Sequence, residues 1–112
     1  MGDELETWLL DAGDEIIRKE SLSGAASLTP LEHAIYSLWV IDYAVRNSGT
    51  LDPMEELYPN ALQELLTFSR SSNLPSLSAW LPSARNEQMF CNAYYNYFSA
   101  ACAELQQLHV RA

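Results

Sequence analysis

Residues 29–47 read TPLEHAIYSLWVIDYAVRN, and this stretch decides the fold of the chain. Thr29 can cap a helix, Pro30 suits its first position, and Glu32 completes a capping box. The residues that follow are apolar almost all round, which is typical of a helix at the centre of a domain. Ser48-Gly49 supplies a stop signal. The stretch therefore predicts a central helix from Pro30 to about residue 47.

The preceding segment predicts a helix over residues 3–19. Its apolar residues recur every three or four positions, which marks one face of a helix. They are Leu5, Trp8, Leu9, Ala12 and Ile16. Residues 20–28 are mostly small and polar, and we expect them to form a connection.

A second start signal follows the central helix. Asp52 is expected to be the N-cap, Pro53 the first helical residue, and Glu55 the partner in an Asp-x-x-Glu box. Pro59 has no N–H for the carbonyl of residue 55, so it predicts a short first helix or a kink. A further helix then runs to residues 71–73, and residues 74–82 allow one or two helical turns.

The C-terminal segment predicts the longest amphipathic helix, of about 25 residues from Ser83 onward. Tyr94, Tyr97 and Phe98 are expected in the core, and Tyr95 on the surface as a partner contact. No segment shows a sustained alternation of apolar and polar residues, the pattern of a β-strand. The whole pattern predicts an all-α fold, with residues 1–112 forming one domain of four to five helices and a long C-terminal amphipathic helix.

The net charge of −9 lies in two segments. Residues 1–20 hold seven acidic and two basic residues, and residues 52–64 hold four acidic residues and no basic one. We call the acidic residues of these segments the N-terminal strip and the second strip. The partner-binding candidates in the N-terminal strip are Asp3, Glu4, Glu6, Asp11, Asp14 and Glu15. Those in the second strip are Asp52, Glu55, Glu56 and Glu64.

This charge excludes some partners. Nucleic-acid phosphates and anionic membranes would repel both strips, so neither is an expected partner. A basic protein is the expected partner, because carboxylates steer cationic surfaces towards them. The alternative interpretation is that the strips are solvated helix faces that improve solubility.

The start of the chain and the cysteine spacing predict a cytoplasmic protein. The first residues are acidic and lack the basic and apolar regions of a secretory signal. Cys91 and Cys102 lie on one predicted helix, where eleven residues span ~16 Å, too far for a disulfide. Two free thiols fit a reducing compartment.

Asp42 and Arg46 are the strongest internal candidates for a site. They form an i,i+4 pair on the main apolar face of the central helix. One interpretation is a charged pair that lines a pocket. The other is a structural ion pair that ties the helix to a neighbour. His33 and His109 lack ligand spacing, and no nucleophile or phosphate-loop motif occurs, so no metal, cofactor or catalytic residue is expected.

Residues 28–39, LTPLEHAIYSLW, and the turn Arg46-Asn47-Ser48-Gly49 resemble a family of uncharacterised all-helical bacterial proteins that includes a DNA mimic. In that family a helix starts after a Leu-Thr/Ser-Pro signal and ends in an Asn- and Gly-rich turn. Thr50 stands where the family has an aromatic residue. The resemblance implies an all-helical fold, an acidic face that occupies a DNA-binding protein, and a turn role for Asn47 and Gly49.

Three functions follow as hypotheses. The first is a non-enzymatic acidic binding module that occupies a basic protein, in the manner of a DNA mimic. The second is an immunity or antitoxin-type protein that blocks a basic toxin such as a nuclease. The third is a small enzyme or ligand-binding domain built on Asp42 and Arg46. The C-terminal helix also leaves a homodimer open as an assembly.

Overall fold

The computed structural model describes residues 2–111, apart from the side chains of Asp3, Ala25 and Arg111. Seven α-helices lie in this range, so the all-α prediction is confirmed and the predicted count of four to five is wrong. They are α1 (Gly2–Ser23), α2 (Pro30–Ser48), α3 (Asp52–Leu57), α4 (Ala61–Ser71), α5 (Pro75–Trp80), α6 (Glu87–Asn92) and α7 (Tyr94–Arg111). Short 3₁₀ turns cover Ala25–Ser27 and Leu81–Arg85.

The central helix α2 begins and ends as its sequence predicts. Thr29 Oγ1 accepts a hydrogen bond from the Glu32 N–H at 3.1 Å, and Glu32 Oε1 accepts one from the Thr29 N–H at 2.9 Å. Gly49 closes the helix in the left-handed region, with φ 72°. Helices α1, α3, α4 and α7 all pack against α2, which places it at the centre of the domain.

The first helix is longer than predicted. α1 continues to Ser23, so most of the predicted connection over residues 20–28 is helical or a 3₁₀ turn. Gly24 ends the helix with φ 85°, and its N–H donates to the carbonyl of Glu20 at 2.7 Å. Such a terminating glycine tolerates the left-handed conformation that other residues avoid.

The helix predicted from the second start signal begins one residue earlier than expected. α3 and α4 are separated at residues 58–60, which confirms the short first helix before Pro59. The N-cap, however, is Leu51 rather than Asp52, and Asp52 is already helical. Leu51 is buried, and its N–H donates to Glu87 Oε1 at 2.7 Å. The N-cap has no side-chain hydrogen bond, so the predicted Asp-x-x-Glu box does not form.

The predicted C-terminal helix of about 25 residues is wrong, because it is divided into a 3₁₀ turn, α6 and α7. Asn86 adopts an extended backbone, and its side chain accepts from the Met89 N–H as the N-cap of α6. Asparagine is a strong N-cap, which explains this start. A turn at Ala93 separates α6 from α7. The ring of Trp80 stacks on Phe90 of α6 at 4.7 Å, so packing supports the broken path.

One hydrophobic core joins the helices. Tyr94 and Phe98 are buried in it as predicted, but Tyr97 is 43% exposed, because its ring only covers the outside of Trp80. Cys91 and Cys102 are free thiols, as predicted. Cys102 is buried in α7 and donates to the carbonyl of Leu5, so it does not lie on an exposed seam. Within residues 2–111, every helix is too short or too polar to cross a bilayer.

Candidate functional site

The Asp42 carboxylate joins two helices inside the protein. Asp42 is 3% exposed, and its Oδ1 accepts hydrogen bonds from Arg46 Nε at 2.7 Å and from the Tyr94 hydroxyl. Tyr94 is fully buried on α7, 52 positions from Asp42. A buried carboxylate needs such charge-assisted donors, since its desolvation is costly. The contact therefore fixes α7 on α2.

Arg46 extends this network to the surface and to α1. Its guanidinium carbon lies 4.8 Å from the ring centre of Phe98 and 5.1 Å from that of Tyr95. Its Nη1 also lies 3.7 Å from Glu6 Oε2. Cation–π contacts and the carboxylates of Asp42 and Glu6 together hold the Arg46 guanidinium in place. Arg46 thus connects α2 to α7 and to α1.

The protonation of this network favours a structural role. Burial and then the Asp42 charge raise the pKa of Tyr94 well above its ordinary value of 10.0. Burial lowers the pKa of Arg46, but the hydrogen bond and charge of Asp42 outweigh it and raise that pKa above its ordinary value. Both donors therefore keep their protons at neutral pH. Both hold Oδ1 of the Asp42 carboxylate.

A cleft of about 240 Å³ opens beside the network. Its lining comes from α1 and α2 and consists of Glu6, Leu10, Trp39, Asp42, Tyr43, Arg46 and Asn47. Small-molecule sites usually enclose ~300–1,000 Å³. The cleft is smaller than that range, and its charged groups already bond to one another.

Three aromatic side chains of α2 form a stacked row at the surface, which we call the aromatic stripe. Tyr36 and Trp39 stack at 5.9 Å and 12°, and Trp39 and Tyr43 at 6.0 Å and 16°. Tyr43 is exposed and the other two are half-buried. The sequence carried a signal for the stripe, the spacing i, i+3, i+7, but α2 is so apolar that no one face stood out.

Residues from both acidic segments contact the aromatic stripe. Gly13 of α1 lies against the Trp39 indole. Tyr58, directly after α3, lies 5.5 Å from Tyr36. The ends of α1 and α3 meet at a second cleft, of about 160 Å³. It is lined by Glu20, His33, Tyr36, Leu57 and Tyr58.

Most of the predicted partner-binding carboxylates lie in solvent. The exposed ones are Glu4, Asp11, Asp14, Glu15, Asp52, Glu55 and Glu56. Glu6 is half-buried beside Arg46, and Glu64 is half-buried and accepts a hydrogen bond from the Tyr58 hydroxyl. The side chain of Asp3 lies outside the described part. Tyr95 is 60% exposed, with one face covered by Arg46.

Neither histidine belongs to a cluster of metal ligands among the described residues. Both are half-buried, and the His109 ring lies 5.8 Å from that of Trp8. In the described part of the chain, no three His, Cys, Asp or Glu side chains are placed to share a metal ion.

Comparisons with protein-family models, curated proteins and solved structures found no match.

Proposed function

We propose that this protein is a non-enzymatic, acidic binding module that occupies a basic protein. The observation that carries the proposal is that most of the predicted partner-binding carboxylates are exposed and unpaired within the described part of the chain. Seven of the predicted partner-binding carboxylates are exposed, and no salt bridge among the described side chains involves any of these seven. Carboxylates without internal partners attract a cationic surface and raise its rate of association.

The position of the aromatic stripe supports the same proposal. Protein interfaces often combine a centre of Tyr and Trp with a polar rim. Here Trp39 packs against Gly13 of the helix that carries the N-terminal strip, and Tyr36 packs against Tyr58, which lies in the segment of the second strip. The stripe thus contacts both acidic segments, which suits a partner that combines apolar and cationic groups.

The Asp42 network supports a function without catalysis. Arg46 and Tyr94 occupy the Asp42 carboxylate, and both donors stay protonated at neutral pH. An ion pair of this kind holds helices together, and breaking it is costly. We assign Asp42 and Arg46 to the fold rather than to turnover, and we place the protein in the cytoplasm, where its two free thiols stay reduced.

A nucleic-acid-binding protein is the partner we propose, because carboxylates along a helix can imitate the charge of a phosphate backbone. An immunity or antitoxin-type role against a basic nuclease is the alternative, since the same surface would serve it. The two differ in the partner and not in the binding surface.

The test is capture from the native host with the wild-type chain and with a neutralised variant. The variant carries Asp11→Asn, Asp14→Asn, Glu55→Gln and Glu56→Gln, all at exposed positions. We expect the wild type to retain a basic protein that salt of roughly 0.5 M releases, because salt screens surface charge. We expect the variant to retain much less.

The identity of the captured protein then distinguishes the two proposed kinds of partner. Release by duplex DNA supports a nucleic-acid mimic, whereas inhibition of a toxic nuclease supports the immunity role. Equal retention of the same protein by both chains, without salt dependence, would refute the proposed use of the strips.

A further inference from the structure

The second cleft, which we call the Glu20 cleft, has the size of one side chain. It lies where the C-terminal ends of α1 and α3 approach α2, and its volume is about 160 Å³. A cavity of ~150 Å³ in another protein holds one benzene molecule. The Glu20 cleft can therefore accept one ring-sized or chain-like group and nothing much larger.

Two tyrosine rings form its walls. The rings of Tyr36 and Tyr58 are 5.5 Å apart and inclined at 50°. The Tyr58 hydroxyl donates to Glu64, which holds that ring in place. A cation near ring faces is attracted by their quadrupoles. The walls thus suit a flat or chain-like cationic group.

The lining of the Glu20 cleft contains one carboxylate, that of Glu20, and one imidazole, that of His33. Glu20 is exposed, and none of the described side chains forms a salt bridge with it. The neighbouring Lys19 is already engaged, because its Nζ lies 2.8 Å from Glu32 Oε1. Burial and then the Glu20 charge raise the pKa of Tyr36, which indicates that this carboxylate acts on the ring.

We propose that the Glu20 cleft receives one lysine or arginine side chain of the basic partner. The cationic group would lie against Tyr36 and Tyr58, with Glu20 as its counter-ion. The inference rests on the proposed function and specifies its partner's chemistry and one point of contact. A single positive charge complements the single unpaired carboxylate at the rim.

Titration with a hexa-arginine peptide at low salt tests this inference, with ¹⁵N–¹H spectra of the wild-type chain as the readout. Shifts should centre on residues 20, 36 and 58. Glu20→Gln and Tyr36→Leu should each weaken binding roughly three-fold, the size of one exposed cation–π or ion-pair contact. Tyr36→Phe keeps the ring and should bind like the wild type.

Matched controls lie on the same helices. Glu15→Gln removes one exposed charge from α1, and Tyr43→Leu removes one exposed ring from α2. Each should weaken binding less than its counterpart in the cleft. Unchanged binding by Glu20→Gln, with shifts elsewhere on the acidic strips, would overturn the Glu20 cleft and leave the proposed function standing. Absence of binding by the wild type at low salt would instead overturn the proposed function itself.

Discussion

Gly13 of α1 lies against the indole of Trp39 of α2, and a Cβ at Gly13 would lie within 3.0 Å of three indole atoms. Real Cβ atoms do not approach a ring so closely, so glycine allows the two helices to meet here. The contact positions α1, with its N-terminal strip, beside the aromatic stripe. It therefore links a packing requirement to the surface that we propose for binding.

Replacing Gly13 by alanine should destabilise the protein. Alanine normally favours a helix over glycine by ~1 kcal/mol, but overpacking of a close contact costs ~1–3 kcal/mol. Trp39 cannot tilt freely, because Tyr36 and Tyr43 stack on either side of it. We expect a net loss of about 1 kcal/mol in the free energy of unfolding, measured by urea denaturation.

A double-mutant cycle provides the control for this prediction. In a Trp39→Ala background the space above Gly13 is open, so Gly13→Ala should become neutral or stabilising. If Gly13→Ala destabilises equally in both backgrounds, contact with the indole is not the cause.

The loss of stability caused by substitutions in the Asp42 network should increase with the charge that each substitution leaves unpaired. Asp42→Ala strands the Tyr94 hydroxyl and part of the Arg46 charge, and should cost about 3–5 kcal/mol. Tyr94→Phe removes one donor while Arg46 still holds the carboxylate, so about 1–3 kcal/mol is expected. Urea denaturation gives both values. A Tyr94→Phe loss as large as that of Asp42→Ala would contradict this ranking.

Local signals in the sequence were sufficient where the contacts are local. Thr29, Pro30 and Glu32 predicted the start of α2, because a capping box involves residues three positions apart. Pro59 predicted a break for a similar reason, since it lacks a backbone donor.

Long-range contacts explain what the sequence could not predict. Leu51 precedes α3 as its N-cap, and its N–H donates to Glu87, 36 positions away, which local sequence patterns do not reveal. The number of acidic residues in each segment predicted the two strips. Nothing comparable in the sequence predicted that Tyr36, Trp39 and Tyr43 form an aromatic stripe at the surface. Which face of an apolar helix stays open depends on where its neighbours pack.

The stability of the α2 start should depend on pH through Glu32. Burial raises its pKa, but the hydrogen bonds from Lys19 and Thr29 outweigh burial and bring it below the ordinary value of 4.5. A carboxylate with a lowered folded-state pKa stabilises the protein at neutral pH. That contribution is lost as the pH falls below 4.5 through the folded-state pKa.

Glu32→Gln isolates the charge, because glutamine can still accept the Thr29 N–H. The free energy of unfolding of the wild type should exceed that of this variant by no more than about 1 kcal/mol at pH 7, and the difference should shrink in acid. Thermal unfolding at several pH values measures it, with Glu15→Gln as the control for general loss of charge. A difference that stays constant from pH 7 to pH 3 would contradict the ion-pair explanation.

The N-terminus of α5 should depend on a carboxylate from α7. Glu104 accepts hydrogen bonds from the N–H groups of Ser76 at 2.9 Å and Leu77 at 3.1 Å, one with each oxygen. These are first-turn donors of a six-residue helix, which is too short to be stable without tertiary contacts. Glu104→Ala leaves both donors unpaired, so it should destabilise the protein by about 1–3 kcal/mol.

Glu104→Gln retains one carbonyl oxygen and should therefore lose only part of that stability. Glu56→Ala removes an exposed carboxylate and should change stability by less than about 0.5 kcal/mol. Urea denaturation ranks the three variants, and hydrogen exchange at Ser76 and Leu77 should accelerate in Glu104→Ala before global unfolding does. If Glu104→Ala matches Glu56→Ala in both measurements, the carboxylate does not cap α5.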